Sequence, residues 1–178
     1  LYVAPLKYDK DIKLVPWAAE SFEVLDEGRK LVFRMRKDIR WTDGVPLTAE
    51  DVAFTYKMML DPKTPTAYAE DYKNITRFKL IDKYAFEVHY DKPFARSLVT
   101  WAHEILPKHI LEGQDLTKTA QARTPIGAGP YILKEWKSGS SLTLVANPDY
   151  FEGRPYLDEV IYRIIPDLST MFLEVKAG

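Results

Sequence analysis

The sequence predicts a mixed α/β (α+β) fold. Three observations carry this: two hairpins with period-two apolar alternation, a capped helix of 3.6-residue period between them, and a β-rich final third. In the first hairpin, 21–36, Phe22 and Val24 alternate with Ser21 and Glu23. An Asp26-Glu27-Gly28-Arg29 turn follows, after which Leu31, Phe33 and Met35 alternate with Val32, Arg34 and Arg36. The helix spans 48–60. Thr48 caps it, Glu50 and Asp51 sit in the first turn where the dipole favours carboxylates, and Val52, Ala53, Tyr56, Met59 and Leu60 form its buried face. Pro62 ends it, because proline disfavours helical geometry at the residue before. A Pro-containing loop leads to a short helical piece over Tyr68–Lys73.

The second hairpin, 76–90, turns at Asp82-Lys83. Its second strand sets Tyr84, Phe86 and Val88 against Ala85, Glu87 and His89, so His89 is expected on the solvent side. Ser97 to Glu112 reads as short helical turns, and the polar residues 113–125 as a linker or exposed loop. Gly127-Ala128-Gly129-Pro130 opens a strand over Tyr131–Trp136, a Ser138-Gly139-Ser140 turn leads to Leu142–Val145, and Asn147-Pro148-Asp149-Tyr150 turns again. Val160–Ile165 is a β-rich run, and Ser169 is positioned to cap a last helix carrying Met171, Phe172 and Val175 inward.

Composition narrows the function. With 46% hydrophobic and 29% charged residues over 178 positions, the chain can bury a substantial core. Its formal charge of −1, without a basic stripe, argues against nucleic-acid or anionic-membrane partners. With 0 cysteines, disulfide scaffolds, thiolate zinc sites and cysteine nucleophiles are excluded. The sequence holds no apolar run of the length, about 18 residues, that a spanning helix needs. A start at Leu1 instead of Met, with no visible signal peptide, leads us to expect an excised fragment or a mature segment.

Candidate chemistry was weighed residue by residue. His103 and His109 stand six apart, which is not a zinc spacing, so no shared metal site is expected. Gly127 and Gly129 lead into a strand instead of a helix, so they form no phosphate cradle and read as a tight turn. No Gly-x-Ser-x-Gly elbow anchors a hydrolase, and no carboxylate pair is singled out. An α+β hydrolase domain thus remains an alternative without a nucleophile. In Trp41-Thr42-Asp43-Gly44, Asp43-Gly44 is expected to turn and Trp41 to plug the core, with Trp17 and Trp136 also in the core.

The block Asp38-Ile39-Arg40-Trp41-Thr42-Asp43-Gly44-Val45-Pro46-Leu47-Thr48-Ala49-Glu50-Asp51-Val52 closely resembles the signature of family 5 extracellular solute-binding proteins, the peptide- and nickel-binding components of ABC importers. Gly127-Ala128-Gly129-Pro130-Tyr131 with Trp136, Asn147-Pro148-Asp149-Tyr150-Phe151, and Ile164-Ile165-Pro166-Asp167 with the helix ending Lys176-Ala177-Gly178 resemble further family elements in the same order. Ala128 stands for the usual Thr, and Phe151 for the usual Trp.

The resemblance implies a fragment of a two-lobe periplasmic-binding-protein type II clamshell. Residues 1–122 would form an accessory α/β subdomain, with lobe I strand segments at its start, and 123–178 part of ligand-binding lobe I. It implies an extracytoplasmic or periplasmic, non-catalytic protein that binds an oligopeptide or dipeptide by domain closure and delivers it to an ABC permease. Nickel chelates or oligosaccharides are alternatives within the family, and no cofactor is implied. Trp101 and His103 lie where family members present side chains to the cleft, Tyr68 lies in a segment that faces ligand in some relatives, and Arg123 is placed to reach an anionic group.

Overall fold

The computed structural model describes residues 1–64 and 66–177; Pro65 of the predicted loop and Gly178 at the predicted helix end lie outside them. Nine strands and four helices build three antiparallel sheets among the described residues. Strands β1 (Leu6–Tyr8) and β2 (Leu14–Pro16) form a ribbon that the sequence reading did not anticipate, since each is only 3 residues long. Strands β3 (Ala19–Leu25), β4 (Lys30–Met35), β5 (Ile75–Asp82) and β6 (Ala85–Tyr90) make a four-stranded sheet in the order β3-β4-β6-β5. Both predicted hairpins are present, and β4 pairs directly with β6, bringing Phe33 opposite Phe86. Their rings stack at 4.8 Å, Phe78 stacks on Phe86 at 5.2 Å, and these rings form the centre of the core.

Helix α1 (Ala49–Leu60) packs on this sheet through Tyr56, whose ring stacks on Phe78 at 5.0 Å. Helix α2 (Ala69–Lys73) follows, then α3 (Lys108–Leu111) beyond a 3-10 turn at Val99–Ala102. The predicted linker is not free. It holds a 3-10 turn at Ala120–Ala122, and buried Gln121 clasps Ile126 by donating to its carbonyl at 2.7 Å and accepting from its N–H at 2.9 Å.

Trp41 is 1% exposed, as its reading as a core plug requires. Its turn is closed by bonds from Trp41 N to Val45 O and Gly44 N to Trp41 O, both 2.8 Å, with Gly44 at φ +89°. Thr42 N donates to Gly127 O at 2.8 Å, so this turn is fastened to the Gly127-Ala128-Gly129 segment. The glycines there serve close approach. A Cβ on Gly127 would stand 2.0 Å from Leu1 O, and one on Gly129 2.7 Å from Leu1 C and O.

Strands β7 (Tyr131–Lys137), β8 (Ser141–Ala146) and β9 (Glu159–Arg163) form the last sheet, and α4 (Leu168–Ala177) follows. Here three expectations are corrected. Met171, Phe172 and Val175 do not face inward: no residue of α4 is buried, because among the described residues no other element covers the helix. Its first turn is capped by Asp167, whose Oδ1 accepts from Thr170 N at 2.7 Å, and not by Ser169. Trp136 is 39% exposed, lying on the outside of β7 instead of in the core. Trp17 sits at the core edge, half-buried, its indole N–H donating to Tyr150 Oη at 2.9 Å. Ile161, Tyr162 and Ile164 are exposed, so the β-rich run presents apolar surface.

Candidate functional site

The four predicted site residues divide into two places. Tyr68 is the N-cap residue of α2, and His103 follows the Val99–Ala102 turn in extended backbone (φ −88°, ψ 148°), ahead of Pro107. Sequence separation of 35 positions is closed by packing: the rings of Tyr68 and His103 lie 4.1 Å apart with planes 31° from parallel. Tyr68 is 48% exposed and forms the outer layer. Tyr72 lies one helical turn on, its ring 6.2 Å from His103. Its hydroxyl donates to Thr100 O at 3.1 Å, and burial pushes the phenol pKa up, so it stays a neutral donor.

Trp101 departs from expectation. It is 2% exposed, wedged 5.1 Å from Phe86 and 5.4 Å from Phe33, with Tyr72 edge-on at 6.0 Å. Instead of presenting its ring to a cleft, it is buried in the core against the sheet, with Tyr72 between it and His103 in the chain of ring contacts. Tyr90, below, has its hydroxyl pushed up to about 12 by burial.

His103 combines burial with an open valence. Desolvation lowers its pKa below the ordinary imidazole value, outweighing the attraction of Glu104 and Asp71, so the ring is neutral at neutral pH. Its Nε2 is buried without a hydrogen-bond partner. The half-exposed Tyr68 phenol, backed by a neutral imidazole, is a flat surface suited to packing against a solute.

Arg123 belongs to a separate groove of about 510 Å³ between Thr42, Pro125 and Trp136. Its guanidinium lies 4.2 Å from the Trp136 ring centroid, and Nη1 donates to Ser138 Oγ at 3.1 Å. The stacked arginine is a fixed cation on an aromatic base, an arrangement that receives planar anions. The other histidines take structural partners. His109 Nε2 is 2.7 Å from Asp43 Oδ2, tying the Trp41–Gly44 turn to α3. His89 is half-buried, not fully in solvent, because β6 is a central strand; its Nε2 lies 3.3 Å from Glu87 Oε1.

Sequence reading missed one buried polar centre. Its place in the first helical turn predicts only a dipole role for Asp51, yet it is 4% exposed and accepts from Thr48 N at 2.8 Å and Lys108 N at 3.0 Å. Burial raises its pKa, with these bonds opposing the rise. The Thr48-x-x-Asp51 spacing was the available signal, since a side chain at that position can close a capping box.

Comparison with known proteins places the chain in a family. The oligopeptide-binding protein AppA of Bacillus subtilis (strain 168) is 35% identical over all of this chain and 34% of its own length. The structure of that AppA in complex with a nonapeptide superposes with a TM-score of 0.92 at 34% identity, covering 100% of this chain and 36% of that one. NikZ from Campylobacter jejuni in complex with Ni(L-His) superposes at 0.93 with 26% identity, covering 99% of this chain and 36% of that one. The chain thus spans about a third of the length of these relatives. The family description "Bacterial extracellular solute-binding proteins, family 5 Middle" matches residues 13–178, nearly the whole chain, and to that family this chain belongs.

Proposed function

We propose that the chain contributes one wall of the binding cleft in a family 5 protein that captures short peptides outside the cytoplasm for an ABC importer. The observation that carries this is the Tyr68–His103 ring pair, 4.1 Å apart and with Tyr68 48% exposed. In this reading residues 1–122 are the accessory α/β subdomain and 123–178 part of the first lobe, a division supported by the separate β7-β8-β9 sheet. Closure of a second lobe buries the solute against the rings, and the closed shape is what the permease recognises. Binding is the whole of the chemistry, and Arg123 on Trp136 serves anionic groups of the solute.

A second reading, a nickel-chelate carrier, is favoured by the likeness to NikZ from Campylobacter jejuni in complex with Ni(L-His). Calorimetric titration of the full-length product of the reading frame that encodes these residues separates the two. Micromolar or tighter binding of di- to nonapeptides, weakened by Tyr68→Ala, is the expected result. Binding of nickel–histidine with no peptide response would favour the second reading, and response to neither would overturn both.

A further inference from the structure

The segment that carries His103 has no sheet or long helix to receive its backbone donors. Three successive N–H groups, interrupted only by Pro107, donate instead to acceptors outside the segment. Ile105 N donates to Val3 O at 2.9 Å, Leu106 N to Thr55 Oγ1 at 2.8 Å, and Lys108 N to Asp51 Oδ1 at 3.0 Å. Two of the three acceptors are side chains four residues apart on one face of α1, and each is 4% exposed. They lie 51 and 57 residues from their donors along the chain.

We propose that Thr55 and Asp51 are positioning residues for the Tyr68–His103 surface, acting as a strap that fixes the exit of the His103 segment on α1. The entrance is held by α2: Tyr72 Oη donates to Thr100 O at 3.1 Å, and Arg96 Nη2 to Asp71 Oδ2 at 2.8 Å. Residues 101–104 are therefore strung between the two helices, with Tyr68 at the start of one of them. Fixing both ends of this stretch holds the imidazole against the phenol at 4.1 Å.

The strap is fully paired. Thr55 Oγ1 also donates to Asp51 O at 2.8 Å, while Asp51 Oδ2 accepts from Thr48 N at 2.8 Å and from Thr48 Oγ1 at 3.3 Å. A buried network with every member satisfied holds one geometry, and removing one acceptor orphans a buried N–H. The consequence for the sequence is specific. Thr48 and Asp51 belong to the block that follows Trp41-Thr42-Asp43-Gly44, so this block caps a helix and also sets the ring surface across the chain.

The inference rests on the proposed function only where it calls this surface solute-facing; the positioning itself is tested without a ligand. In the 178-residue chain, the Leu106 and Lys108 amides are expected to exchange with solvent at rates matching the protected core strands. Thr55→Val, which keeps volume and removes the acceptor, should speed Leu106 exchange at least tenfold and shift the His103 Cε1 proton toward its position in Tyr68→Ala. Thr55→Ser should restore both values. In the full-length product, Thr55→Val should also weaken peptide binding about tenfold. Unprotected Leu106 and Lys108 amides in the unaltered chain would overturn the proposal without any variant. So would a Thr55→Val protein whose Leu106 exchange and His103 resonance are unchanged. Absence of peptide binding in the unaltered protein would sink the functional reading and leave the exchange and resonance results to decide the strap.

Discussion

Replacing Trp41 with alanine tests how the signature turn is anchored. The side chain is 1% exposed, packs 6.1 Å from the His109 ring, and buries its indole N–H with no acceptor. Burying a tryptophan removes about 200 Å² from water, worth about 5 kcal/mol at about 25 cal/mol per Å². Against this stands the unsatisfied N–H, which costs about 1–3 kcal/mol while buried, a cost the alanine variant does not carry. The alanine variant retains a small part of the buried surface but leaves a cavity, so the expected net loss is about 3–5 kcal/mol. Trp41→Phe should lose only about 1–2 kcal/mol, because it removes the orphan donor along with part of the ring. Urea unfolding followed by far-ultraviolet circular dichroism measures both. A loss below about 1 kcal/mol for Trp41→Ala, with an unchanged m-value, would refute the account of Trp41 as the plug under α1.

Glu87 sets an acid limit: bonds from Lys30 and His89 pull its pKa from 4.5 down to about 2, so its contribution is present above pH 4.5 and is lost as pH falls toward 2. The upper bound is about 3 kcal/mol, lowered by solvent screening of its partners; Glu87→Gln should flatten stability between those pH values in acid titration of the unfolding midpoint. Gly127→Ala sets a methyl 2.0 Å from Leu1 O, a backbone atom with little room to yield, and should cost about 2–3 kcal/mol in the same unfolding assay. Because Ile161, Tyr162, Phe172 and Leu173 are exposed around edge strand β9 and α4, the 178-residue chain should self-associate with rising concentration in sedimentation velocity, and Tyr162→Lys with Phe172→Lys should abolish this. Calorimetric titration of the same chain with mixed short peptides should give binding weaker than micromolar; a micromolar constant would show that one wall suffices.

The elements with the strongest local signals were legible in the sequence. Both hairpins, the capped helix and the Trp41 plug follow from short-range periodicity and turn chemistry, as in Leu31-Val32-Phe33-Arg34-Met35 or Thr48-Ala49-Glu50-Asp51. The ribbon of β1 and β2 escaped because 3-residue strands show almost no period. Which apolar residues are covered was decided at longer range. Met171 and Phe172 have helical spacing yet lie exposed, and Trp136 alternates like a core residue yet lies outside under Arg123, because burial depends on what else packs there. The same holds at the site. Tyr68 and His103 are candidates read from the sequence, but their contact, the burial of Trp101 against Phe33 and Phe86, and the reach of Thr55 and Asp51 to Leu106 and Lys108, 51 and 57 positions away, are not. Periodicity reports only the neighbours a residue has along its own element, and these pairings exist only once the sheet and two helices have brought distant segments together.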